Sequence, residues 1–105
     1  MKKPTILVVD DELFFRRLYS ELLAEEGYQV ETVATGDSAL NRLRQGGVDV
    51  VLTDMVMPGI GGLDVLRLAR GLDNPPEVIL ATNPASLETA IHALKSGARD
   101  YLLKP

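Results

Sequence analysis

Five residues able to do polar chemistry stand where apolar runs stop. Asp10 and Asp11 close ILVVDDE, Asp54 closes VVLTD, Thr82 closes VILAT and Lys104 follows YLL. A single Asp after such a run is ordinarily a turn former or a helix cap. Polar groups at the ends of four separate runs ask for a further reason. Three carboxylates brought together repel, and at least one of their pKa values rises unless a cation sits among them. An all-oxygen cluster suits Mg2+, which keeps several of its waters. Lys104 as a point charge and Thr82 as a hydroxyl donor would meet the remaining oxygens of a phosphoryl group. Phosphoryl transfer is catalysed mainly by positioning and charge neutralisation, and the set matches that chemistry. Asp54 is the candidate acceptor, because an aspartate can act as a covalent nucleophile.

The elements that must position these groups alternate along the chain. Residues 6–9, 48–53, 78–82 and 101–103 read as strands, and 28–33 as an outer strand with alternating polarity. Helical periodicity covers 13–26, 37–45, 62–70 and a segment from Asn83-Pro84 to 96, with Gly27, Gly46, Gly71 and Gly97 as stops. In the first helix, Phe15, Leu18, Tyr19, Leu22 and Leu23 make the apolar face. Thr35 is placed to cap the second helix, and Asn83 with Pro84 to open the fourth. Helices between successive strands imply parallel, right-handed βαβ units and a doubly wound α/β sheet. Loops after the strands of such a sheet gather at one edge, where ligands bind. The five polar residues all fall there.

Composition narrows the classes. A chain of 105 residues with 46% apolar content supports one small domain with a core. Cysteine is absent, which removes disulfides and thiolate metal sites and agrees with a cytoplasmic setting. One histidine cannot build a multi-histidine metal site. A net charge of −4 without a basic stripe speaks against direct nucleic-acid binding. No apolar run approaches the roughly 20 residues of a membrane span, and the apolar stretch after MKKPT is too short for a signal peptide.

The segments VVDDE, LTDMVMPGIGGLDVL, ILATNPA and GARDYLLKP, in this order and spacing, resemble the receiver domain of two-component response regulators. The resemblance covers nearly the whole chain, so residues 1–105 are expected to form one receiver domain, truncated before its last helix. It implies a flavodoxin-like sheet of strand order 2-1-3-4-5. Asp54 then matches the phosphoacceptor, and Asp10 and Asp11 match the acidic pair that shares Mg2+ with it. The backbone carbonyl of Val56 matches the remaining protein ligand to the metal. Thr82 matches the switch hydroxyl, Lys104 the lysine that pairs with the phosphoryl group, and Tyr101 the aromatic that changes rotamer on activation. The Lys104–Pro105 bond matches one that is cis in the family, where proline narrows the trans preference to about 0.5–1 kcal/mol. The implied phosphodonor is a histidine kinase or a histidine phosphotransfer protein, and Phe14 and Phe15 are candidates for docking it. The tail LETAIHALKSGARDYLLKP looks most like receivers attached to transcriptional output domains.

Two features depart from the family pattern. Receivers continue through a fifth helix, which is absent after Pro105. Apolar surface beside the first and fifth strands is therefore expected to face water, with self-association or lowered stability. Asn83 is larger than the small residue that commonly follows the switch hydroxyl, which bears on phosphoryl lifetime. Packing is the ordinary alternative role for Phe15, Phe14 and Tyr101, and it is the reading taken for Met55 and Met57. His92 reads as a surface or half-buried histidine away from the strand ends. A Mg2+-dependent phosphohydrolase with an aspartyl nucleophile favours a carboxylate two residues after that nucleophile. Asp54 is followed by Met55 and Val56, so only Asp10 and Glu12 have that spacing. A receiver-shaped module that is never phosphorylated is opposed by the intact Asp10, Asp11, Asp54, Thr82 and Lys104.

Overall fold

A computed structural model describes residues 2–105. Five strands, β1 (Thr5–Val9), β2 (Gln29–Val33), β3 (Val50–Asp54), β4 (Glu77–Thr82) and β5 (Asp100–Leu103), alternate with four helices. The helices are α1 (Leu13–Glu25), α2 (Gly36–Arg44), α3 (Gly62–Arg70) and α4 (Leu87–Lys95). All strand pairs are parallel, in the order β2-β1-β3-β4-β5. This is the doubly wound sheet expected from the alternation of runs and helices.

Side chains of successive strand residues point to opposite faces, and the two faces are covered unequally. Leu7, Val9, Val51, Val78 and Leu80 pack against Ala39 and Leu43 of α2, Val65, Leu66 and Ala69 of α3, and Ala93 of α4. On the other face, Ile6, Val8, Leu52 and Ala81 meet Phe15 and Tyr19 of α1 alone. There Val30, Val50, Ile79 and Leu102 are only partly covered. The apolar face expected of α1 is realised at Phe15 and Tyr19, while Leu18 and Leu23 are half-buried. Leu22 is 51% exposed. Phe14, Leu18 and Leu22 recur at four-residue spacing on a flank of α1, and no second helix on that side of the sheet covers them among the described residues.

Local signals set the element ends. Thr35 accepts a hydrogen bond from the Ser38 amide at 3.1 Å and caps α2. Asn83 accepts one from the Ser86 amide at 3.2 Å, but the turn it opens is a 3₁₀ turn, Pro84–Ser86, and α4 proper begins at Leu87. β3 starts at Val50 and not at 48, and just before it the Asp49 side chain accepts from the Thr5 amide at 2.7 Å. Gly27 and Gly97 follow α1 and α4 at φ 94° and 107°, a region open to glycine. His92 is exposed, whereas Met55 and Met57 are buried against the core.

Candidate functional site

The loops leaving β1, β3, β4 and β5 meet at one edge of the sheet. Backbone hydrogen bonds lock each exit. The Asp10 amide donates to Val33 O at 3.2 Å, the Met55 amide to Ala81 O at 3.0 Å, and the Lys104 amide to Thr82 O at 2.8 Å. Asp10 is held twice more: its Oδ1 accepts from the Glu12 amide at 2.9 Å, and its carbonyl accepts from Arg16 Nη1 at 2.8 Å. After Asp54 the loop turns back so tightly that the Gly62 amide donates to Met55 O at 2.9 Å. A Cβ on Gly62 would stand 2.6 Å from Asp54 O and 3.0 Å from Met55 Cα. Only glycine lets α3 start this close to the end of β3.

Lys104 joins the strand ends. Its Nζ lies 2.9 Å from Asp10 Oδ2, 3.3 Å from Asp54 Oδ2 and 3.9 Å from Glu12 Oε1. The Lys104 side chain is 9% exposed, and those of Asp10 and Asp54 are 1% and 10% exposed. Beneath the ammonium lies the ring of Phe15, with its centroid 4.0 Å from Nζ. Burial pushes the Asp54 carboxyl above the usual carboxylate range, Lys104 draws it down, and the negative charges of Asp10 and Asp11 add to the rise. Burial alone would lower the Lys104 pKa, but the pull of Asp10 and Asp54 outweighs it and the net shift is upward. Tyr19, stacked behind Phe15, has its hydroxyl raised by burial and lacks a hydrogen-bond partner.

The donor set fits a hard cation. Asp10, Asp11 and Glu12 each offer a carboxylate oxygen within 4.8 Å of the others. Lys104 approaches Asp10 Oδ2 without the alignment of a hydrogen bond, so this buried oxygen has no directed donor. Three adjacent carboxylates, one with a buried oxygen that meets only an ammonium, have the donor chemistry that suits Mg2+ or a similar oxygen-seeking ion.

The structure brings Asp10, Asp54 and Lys104 into contact and sets Asp11 beside them, exposed. Thr82 is buried at the end of β4, its Oγ1 donating to Asn83 O at 3.1 Å. Val56 is 63% exposed and lines the mouth of the site with Asn83, Pro84 and Pro105. Tyr101 is half-buried against the three-helix face. Phe14 and Phe15 part company: Phe14 is 67% exposed, whereas Phe15 is turned inward under Lys104 at 9%. The Phe15 ring therefore offers little free surface, at the mouth of the site only. The cis Lys104–Pro105 bond is not found, since no cis peptide bond occurs among the described residues. Pro105 is exposed, and trans is the intrinsically favoured form before proline. Sequence reasoning passed over Glu12 as a member of the acid cluster and Arg16 as a brace for Asp10. Glu12 was signalled by adjacency to the pair, but nothing in the sequence pointed to the bond from Arg16.

A family model described as "Response regulator receiver domain" matches residues 6–105. The chain is 39% identical over its whole length to the transcriptional regulatory protein YkoG of Bacillus subtilis, of which it spans 46%. It is 40% identical over 95% of its length to the regulatory protein AtoC of Escherichia coli, of which it spans 22%. The chain thus spans less than half of each of these curated relatives. Among solved structures, a response regulator receiver domain protein from Clostridium thermocellum superposes with TM-score 0.91 at 36% identity, over 97% of this chain and 82% of that one. The response regulator TrrA of Thermotoga maritima, in complex with Mg2+ and BeF, superposes with TM-score 0.85 at 36% identity, over 97% of this chain and 87% of that one.

Proposed function

The chain belongs to the response regulator receiver domain family, and from that premise we propose that it is a signalling switch whose Asp54 accepts a phosphoryl group from a histidine kinase or a histidine phosphotransfer protein. An Asp54 carboxylate oxygen attacks the phosphorus of the donor phosphohistidine. An O–P bond forms, the P–N bond breaks, and its electron pair leaves on the imidazole. The later hydrolysis, in which water attacks phosphorus and returns carboxylate and phosphate, is likewise the domain's own chemistry, and no outside substrate is processed. Asp10, Asp11, Asp54 and the Val56 carbonyl would hold Mg2+, which would add charge neutralisation for the phosphoryl oxygens. Lys104 neutralises charge on the other side and is held there by its own strand.

Thr82 carries the switch. Its hydroxyl, which now bonds to the adjacent Asn83 carbonyl, is free to turn to a phosphoryl oxygen, and the half-buried Tyr101 ring follows into the space released. That rearrangement changes the α4–β5 surface, a two-state element biased by one hydroxyl. Phe14, exposed in a groove with Leu13, Arg17, Leu18 and Glu21, is the aromatic offered to the phosphodonor. The half-covered side of the sheet is a surface for self-association. A longer parent chain is read as carrying a transcriptional output domain, in line with the printed names of the relatives.

The observation that carries the reading is the single ammonium shared by Asp10 and Asp54 across two strand ends, with Asp54 held largely dry at a solvent-facing mouth. Incubation with acetyl phosphate and Mg2+, followed by intact mass, is expected to add one phosphoryl group to the wild type and none to Asp54→Asn. A wild type that gains no mass and binds no beryllofluoride turns the reading toward a module that is never phosphorylated.

A further inference from the structure

Phe15 stands at a point where a helix brings a ring to the edge of the sheet. Helical side chains lean toward the helix N-terminus, and the N-terminus of α1 lies next to the end of β1. The third residue of α1 is thereby carried toward Asp10. Its ring is fixed on two sides: Phe14 meets it edge-on at 5.2 Å between centroids and 85°, and Tyr19 stacks at 5.9 Å and 22°. Over it sits the Lys104 ammonium, 4.0 Å from the centroid and nearly dry. An ammonium within about 6 Å of an aromatic face is attracted by the ring quadrupole, most strongly where water is excluded.

We infer that Phe15 is a positioning residue for Lys104, an aromatic seat that holds the ammonium in place while its oxygen partners change. The inference rests on the reading of Asp54 as the phosphoacceptor. Before transfer, Lys104 faces Asp10 Oδ2 and Asp54 Oδ2. After it, Asp54 carries an acyl phosphate and the charges around it are redistributed. The ring contact survives both states, because it takes up none of the three N–H donors, which stay available to oxygen. Without the ring, the four-carbon stem is free to carry the ammonium toward water. Phe15 is thus more than a core apolar residue: a leucine fills space there but has no charged face to present.

The test combines a spectroscopic signature with a rate. In the metal-free protein, the Lys104 ε-methylene resonances are expected upfield of those of Lys2, Lys3 and Lys95 through the ring current of Phe15, and this displacement disappears in Phe15→Leu. The rate of Asp54 modification by acetyl phosphate with Mg2+ is expected to fall about tenfold in Phe15→Leu, equivalent to about 1.4 kcal/mol. Replacement of Phe15 by 4-fluoro-, 3,5-difluoro- and 3,4,5-trifluorophenylalanine keeps the shape and weakens the ring's negative face step by step. The rate is expected to fall in the same order, and this series decides the matter if Phe15→Leu does not fold. A rate unchanged across the fluorinated series, or Lys104 resonances coincident with those of Lys95, overturns the inference. If the wild type takes up no phosphoryl group, it is the reading of Asp54 that fails. The Lys104 resonance then decides the ring contact by itself, with the upfield position supporting it and coincidence refuting it.

Discussion

Replacing Lys104 by methionine keeps most of the stem and removes the charge between two buried carboxylates. The ammonium is 2.9 Å from Asp10 and 3.3 Å from Asp54, and all three side chains are at most 10% exposed. At an effective dielectric near 20, each contact is worth about 5 kcal/mol before desolvation is counted. Losing one partner of a buried pair typically costs about 3–5 kcal/mol. Because Asp54 lies at the mouth of the site and can protonate, the lower end applies, and we expect Lys104→Met to lose about 3 kcal/mol at pH 7 in EDTA. For a domain of this size that corresponds to a fall in Tm on the order of 15 °C. The pH dependence has a definite sign. Asp54 already titrates above the carboxylate range, and the variant lacks the charge that draws it down. A carboxyl whose folded pKa is raised is fully favourable below its unfolded value, near 3.9, and costs stability as pH rises through its folded value. The deficit should therefore be largest at neutral pH and shrink toward pH 4. Saturating Mg2+, which stabilises by about 2.7 kcal/mol at a hundred times Kd, should rescue the variant more than the wild type, because no ammonium competes for Asp10. Urea denaturation at pH 7 and pH 4, with EDTA or Mg2+, measures all of this. A loss below about 1 kcal/mol in EDTA at pH 7, on the scale of an exposed ion pair, or a smaller Mg2+ gain in the variant, would refute Lys104 as the neutralising charge.

Gly62→Ala should cost about 2–3 kcal/mol, because its Cβ meets backbone atoms of Asp54 and Met55 that cannot swing away. It should also slow acetyl phosphate labelling of Asp54, and wild-type urea stability would count against the close-approach argument. The Arg42 fork on Glu31, at 2.6 and 3.0 Å, is partly exposed and should show a coupling of only about 0.5–1 kcal/mol in a Glu31→Gln, Arg42→Met double-mutant cycle at pH 7. The hydrogen bond from Arg42 lowers the Glu31 pKa. The coupling should therefore hold above the ordinary Glu value, near 4.3, and vanish as pH falls through the depressed folded value. A coupling that is flat down to pH 2 would contradict the assignment.

The sheet was readable because its centre and rim differ in residue type. Runs such as ILVV and VVLT are almost wholly apolar, and β1 and β3 are indeed interior strands, while the alternating 28–33 segment became an edge strand, β2. Element ends were less readable, because local hydrogen bonds decide them. Asn83 caps a 3₁₀ turn before α4, and the Asp49 side chain takes the Thr5 amide just ahead of β3. At the site, strand-end position was enough to bring Asp10, Asp54 and Lys104 together. What a ring touches was not legible. Periodicity marks Phe15 and Tyr19 alike as inward, yet only the fold sets Phe15 under a lysine far along the chain. Leu22 shares that periodicity and is exposed, since burial depends on which helices flank α1.

β5, which carries Lys104 on its trailing residue, has β4 as its one strand neighbour. The ammonium that pairs with Asp54 is therefore mounted on the rim of the sheet, where the backbone is tied on one side only. Under the proposed role, anything that grips or shifts that rim strand moves an ammonium relative to Asp54 and so shifts the equilibrium between its free and phosphorylated forms. Thermodynamic reciprocity then requires that phosphorylation of Asp54 change, by the same factor, how tightly the rim is gripped. On that proposal input and output are one equilibrium read from its two ends, with a lysine as the common lever.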